Sequence, residues 1–110
     1  MEAKELRIGN NVHQFGLPIF VTGAIIERLQ EIEKNGKTCI DITPIRLNEE
    51  VFDKMGWDVI QEGWFGKGRF TWNVYDKCLR YNGQRLGEPN YLHNVQNIYW
   101  ELCNEELSII

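Results

Sequence analysis

Apolar residues Leu6, Ile8 and Val12 alternate with polar ones around a Gly9-Asn10 step, a pattern that predicts a short strand entering a turn. The stretch Pro18–Ile26 is dense in β-branched residues and starts on a proline, which suits the first position of a strand, so a second strand is expected there. Residues 25–33 fit two templates. Ile25, Leu29 and Ile32 have helical spacing, whereas Lys34-Asn35-Gly36-Lys37 is a hairpin signal followed by Thr38, Ile40 and Ile42 at period two. The hairpin is favoured, with a short helix over 25–33 as the alternative.

Pro44 closes that strand, and the next segment carries several helix signals together. Asn48 is the expected N-cap, Glu49 and Glu50 oppose the positive end of the helix dipole, Leu47 and Phe52 make a hydrophobic staple, and Gly56 supplies the stop. Strands are then expected over 57–61 and 69–75, joined by the glycine-rich segment 62–68. In the second, Phe70, Trp72 and Val74 line one face and Thr71, Asn73 and Tyr75 the other. Leu79-Arg80-Tyr81 and Gln84-Arg85-Leu86 flank Asn82-Gly83, the strongest short hairpin signal.

After the break at 87–90, with Asn90 as N-cap, a final helix is expected from Tyr91 to Cys103. Leu92, Val95, Ile98, Tyr99, Leu102 and Cys103 form its apolar arc, and His93, Asn94, Asn97 and Glu101 lie opposite as a wet stripe. Asn104 is the expected C-cap, and the apolar tail 107–110 should tuck against the body. Together these elements predict a single α+β domain over 1–110. A bent antiparallel sheet, with an SH3-like half-barrel at the N-terminus, would carry a short middle helix and a C-terminal amphipathic helix packed on one face.

Composition narrows the function classes. The 110 residues suffice for one core, and 43% hydrophobic with 25% charged residues exclude disorder and collagen. A net charge of −4 excludes simple polycation binding. No apolar run approaches the ~20 residues of a membrane span, and the start lacks the apolar core of a signal peptide, so a cytoplasmic location without membrane contact is expected. Cys39, Cys78 and Cys103 are odd in number and hold no Cys-x-x-Cys pair, which points to reduced thiols, with Cys39 and Cys103 packed in the core. Four Trp, four Tyr and five Phe are an excess that must pack inside or against a partner.

Three sequence blocks resemble a known family. They are Leu6-Arg7-Ile8-Gly9-Asn10, then Pro44-Ile45-x-Leu47-x-Glu49-Glu50, then Tyr91-Leu92-His93-x-Val95-Gln96-Asn97-Ile98-Tyr99. The family consists of small uncharacterised proteins of gut-bacterial genomes, prophages and mobile elements. The likeness spans nearly the whole chain and departs from the pattern at Asn48, where Thr is expected, and at Trp57, where Phe is expected. It implies an accessory protein of a phage or mobile element with no assigned activity.

Catalytic patterns are sparse. His13 and His93 stand alone, with no i, i+4 ligand pair for a metal, and on one helix His93 would lie about 15 Å from Cys103, leaving only Cys39 or Cys78 as its thiol partner. Gly63–Arg69 has glycines and basic residues but lacks the phosphate-loop pattern and reads as a flexible loop. Glu31, Glu33, Glu49 and Glu50 fit a solvated edge and a helix N-terminus. The sequence therefore predicts a non-enzymatic protein-interaction module without metal or cofactor, for which a homodimer is one allowed state. It would engage a protein partner through Trp64, Phe65 and Trp100, the last lying about 80° from Leu92 at the edge of the apolar arc. The alternative is a single-stranded nucleic-acid binder that stacks bases on a basic, aromatic segment through Trp64, Lys67, Arg69, Tyr75, Arg80 and Tyr81.

Overall fold

The computed structural model describes residues 1–110. The α+β class is observed, with three α-helices and two separate antiparallel sheets. Two sheets replace the one bent sheet expected, because a helix and not a hairpin follows the second strand, and the later strands pair as a local meander. The chain forms two compact units, one of Met1–Ile45 with Tyr91–Ile110, the other of Arg46–Asn90.

In the first unit, β1 (Asn11–Gln14) and β2 (Leu17–Phe20) form a hairpin around Phe15-Gly16, and β3 (Ile42–Thr43) pairs on the other side of β1. Residues 6–10 are not a strand but follow a 3-10 turn, Ala3–Glu5, and the second strand is cut to four residues because Thr22 caps a helix. That helix, α1 (Gly23–Lys34), occupies the segment for which the hairpin was favoured. The Asn-Gly pair serves as its C-terminal cap: Gly36 takes φ 69°, its N–H reaches Glu33 O, and the Lys37 N–H reaches Ile32 O, a Schellman motif. Both a hairpin and a helix stop need positive φ at Gly36; tertiary packing decides between them. Leu29 is buried with Ala3, Leu6, Val12, Val21 and Ile42, and Ile25 and Ile26 pack on that cluster. Residues 38–41 form no strand, and Ile40 is 90% exposed.

The last helix, α3 (Leu92–Cys103), is capped by Tyr91 and not Asn90, and Asn104 closes it in the left-handed conformation as expected. Its buried face is rotated from the expected arc. Leu92, His93, Val95, Gln96 and Tyr99 are buried, whereas Leu102 and Cys103 are exposed. Polarity misleads here because His93 and Gln96 meet hydrogen-bond partners inside the unit. Leu107 of the tail is buried, as the sequence predicts.

In the second unit, α2 (Glu49–Lys54) begins as expected, with Asn48 Oδ1 accepting from Val51 N at 2.9 Å. β4 (Asp58–Gln61), β5 (Trp64–Lys67), β6 (Phe70–Asn73), β7 (Leu79–Tyr81) and β8 (Gln84–Gly87) form a five-stranded meander in sequence order. Phe65, Trp72 and Leu79 stand opposite one another across β5, β6 and β7 and are all buried. Phe52 of α2 lies on this row, with ring centroids 4.3 Å from Trp72, 5.9 Å from Phe65 and 4.8 Å from Trp57. Much of the aromatic excess is therefore core.

Candidate functional site

Alternation along β5 to β7 places Trp64, Gly66, Thr71 and Arg80 on the sheet face opposite Phe52. The Arg80 guanidinium lies 5.1 Å from the Trp64 ring centroid and is held from the side by Asp76 at 2.8 Å. Arg80 holds the Asp76 carboxyl below its ordinary value, helped by the Cys78 N–H. Ile60 and Tyr75, 59% and 75% exposed, flank this pair and lie over glycines. A Cβ on Gly66 would come within 2.3 Å of Ile60 Cδ1, and one on Gly63 within 2.5 Å of the Tyr75 ring. Absent side chains at 63 and 66 let two large apolar groups lie flat on an exposed surface.

The residues singled out from sequence divide. Trp64 is half-buried on this open face, while its neighbour Phe65, 5% exposed, points the other way into the aromatic core, as successive strand residues must. Trp100 belongs to the other unit, half-buried beneath Arg7, whose guanidinium lies 4.7 Å from its ring and pairs with Glu106. Of the basic and aromatic set, Trp64 and Arg80 share the open face, with Tyr75 at its margin over Gly63. Lys67 and Tyr81 stand opposite Phe70 on the covered side, where the Tyr81 ring lies 4.9 Å from that of Phe70. Arg69 lies in the β5–β6 turn and Tyr75 just beyond β6. The unit carries seven basic and seven acidic side chains, so it has no net positive field. Trp64 and Tyr75 were singled out from sequence as aromatic residues, although the segment expected to be a flexible loop holds strand β5; Ile60 was missed because its placement depends on the glycine it covers.

A second feature, in the first unit, is a buried polar lattice. The Asn11 N–H donates to Gln96 Oε1 at 2.8 Å, and Gln96 Nε2 donates to Asn11 Oδ1 at 3.0 Å and Leu107 O at 2.7 Å. Asn11 Oδ1 also accepts from Ile109 N at 3.1 Å. Asn97 joins Asn10 at 2.8 Å to the Glu5 carbonyl at 2.9 Å. His93 is fully buried, its ring stacked on Tyr91 and its Nε2 3.5 Å from Glu5 Oε1. This lattice ties residues 5–11, α3 and the tail together; of the expected wet stripe, His93 and Asn97 take part in it, while Glu101 stays exposed.

Cys78 is buried, Cys103 exposed, and Cys39 half-buried with its Sγ 3.2 Å from Asp41 Oδ1, so the expectation of core packing fails at Cys103, which lies on the outward side of α3. Cys39 lines a cavity of about 340 Å3 together with Leu29, Ile32, Ile42 and Pro44. No group of three or more His, Cys, Asp or Glu side chains is arranged to hold a metal ion, and no helix is long and apolar enough to cross a membrane.

Several groups link the first unit to pH, among them His93 and Asp41. Burial pushes the His93 imidazole below its ordinary 6.5, against an opposing pull from Glu5, so the unfolded chain binds the proton more readily. Its contribution to stability is present above 6.5 and is lost as pH falls below it. Asp41, paired with both Arg28 nitrogens at 2.7 Å, is held well below its ordinary 3.8, and its contribution is lost only below that value. Denaturant midpoints measured from pH 7 downward should therefore fall in two stages, and His93→Gln should abolish the first; a flat profile between pH 7 and 5 would contradict the buried, neutral histidine.

No protein-family model, curated protein or solved structure matches this chain.

Proposed function

We propose that the chain is a non-enzymatic protein-interaction module, an accessory protein of a phage or mobile element, which docks a protein partner on the open face of the five-stranded sheet. The observation that supports it is the Trp64–Arg80 pair flanked by exposed Ile60 and Tyr75. Half-buried Trp and Arg in fixed geometry are the side chains that most often anchor interfaces, and their rigidity lowers the entropy cost of docking. Phe65 supports this face from behind, and Trp100 under Arg7 offers a second aromatic position in the other unit. The origin in a phage or mobile element rests on the resemblance of the three sequence blocks.

The single-stranded nucleic-acid reading is weaker on this geometry, because its six residues fall on different faces and turns and Arg80 is already paired with Asp76. The test is Trp64→Ala alone and combined with Ile60→Ser and Tyr75→Ser. Truncating an anchor costs about 2 kcal/mol, so the partner captured by the unaltered chain should bind roughly thirty-fold more weakly. Unchanged recovery by the triple variant, with its circular dichroism intact, would refute the assignment.

A further inference from the structure

The second unit has a cavity of about 100 Å3 where its chain enters and leaves, lined by Arg46, Leu47, Trp72, Lys77, Pro89 and Asn90. Leu47 N donates to Asn90 O at 3.2 Å and joins the two ends. Trp72 is 1% exposed, and its indole N–H is buried without an acceptor. That group can only donate, and a buried donor left unpaired is costly. The cavity holds about three waters' volume at ~30 Å3 each, enough for one tetrahedral oxyanion.

Every charged group in the wall is positive. Lys77 is exposed, pairs with no carboxylate, and is presented by a tight loop: Asn73 Oδ1 accepts from Tyr75 N at 2.8 Å and Asp76 N at 3.2 Å, and Asp76 Oδ1 accepts from Cys78 N at 2.9 Å. This double turn holds Lys77 at φ 56°, a left-handed conformation that a lysine adopts only at a cost. Arg46 adds a planar guanidinium and Asn90 an amide. The acidic residues next in sequence to the wall are engaged elsewhere, Asp76 by Arg80 at 2.8 Å and Glu88 by Arg85 at 3.5 Å.

The geometry points to a binding site for one small oxyanion of the phosphate class in this cavity, with Trp72 Nε1–H and Lys77 Nζ as its donors and the positive charge of Arg46 in its wall. A wall whose only charged side chains are cationic, with an unpaired buried N–H, suits an anion and not a cation. The site is independent of the protein-docking face.

The test is titration of the full chain with inorganic phosphate, and separately with O-phosphoserine, at constant ionic strength set by sodium chloride. The readout is the indole N–H resonance of Trp72, assigned by its loss in Trp72→Phe. A saturable shift is expected. Saturation by phosphate alone assigns a free ion, and saturation by phosphoserine alone or as well assigns a phosphoryl group; both uphold the site. Lys77→Gln should weaken binding at least tenfold. Lys77→Gly should show the same loss while melting at a higher temperature, because it relieves the strained φ. No saturable shift with either probe, or undiminished binding by Lys77→Gln, would overturn the proposal.

Discussion

Replacing Phe52 by Ala is expected to remove about 3–5 kcal/mol of stability, a large share of the ~5–15 kcal/mol typical of a domain. Phe52 is fully buried and is the one ring that touches Trp57, Phe65 and Trp72 together. Truncation opens a cavity among large rigid rings, which cannot collapse to fill it, so the cost should lie at the upper end. Trp57 and Trp72 report the change directly through fluorescence in a urea titration. Val59→Ala, at a position 64% exposed in edge strand β4, should change stability by about 0.5 kcal/mol or less. A Phe52→Ala loss no larger than that of Val59→Ala would refute the central packing of α2.

Gln96→Leu should be nearly as damaging although it adds apolar character to a helix. The leucine matches the glutamine in size but leaves the Asn11 N–H and the Leu107 carbonyl buried without their partner. Each orphaned group costs about 1–3 kcal/mol, so roughly 2–6 kcal/mol is expected in total. The effect is local in its signature: amide exchange at Asn11 and Ile109 should accelerate, since Ile109 N bonds to the Asn11 carboxamide that Gln96 orients. Glu101→Gln, on the exposed side of α3, is the matched control and should leave exchange unchanged. A stabilised Gln96→Leu protein with slow exchange at Ile109 would show that the lattice does not hold the tail.

The parts of the fold legible in the sequence were those fixed by short-range chemistry. Asn48 before two glutamates, Asn82-Gly83 between alternating runs, and Asn104 after an amphipathic stretch each specify a cap or turn that needs no distant partner. What stayed hidden was decided by distant contacts. Asn35-Gly36 suits a hairpin or a Schellman cap equally, and only the burial of Leu29 against Val12 and Ile42 selects the helix. The buried face of α3 was misplaced because Gln96 and His93 are polar in isolation but find partners from residues 5–11 and the tail, almost ninety positions away in sequence for Asn11–Gln96. At the candidate surface, Trp64 could be named as an aromatic residue, but the glycine-rich segment around it reads as a loop and folds as strand β5. The coverage of Gly63 by Tyr75 and of Gly66 by Ile60 could not be read, because it joins residues in different strands and turns.

The most direct measurement is affinity capture with the full chain from a lysate of its host cell, with and without nuclease, at low and moderate salt. Docking on an apolar sheet face of a unit with balanced charge predicts a protein that survives both nuclease and salt and is lost from the Ile60→Ser, Trp64→Ala, Tyr75→Ser variant. Recovery that disappears with nuclease or falls steeply between the two salt concentrations would contradict it and transfer the site to phosphate-backbone binding by the basic residues of 64–85.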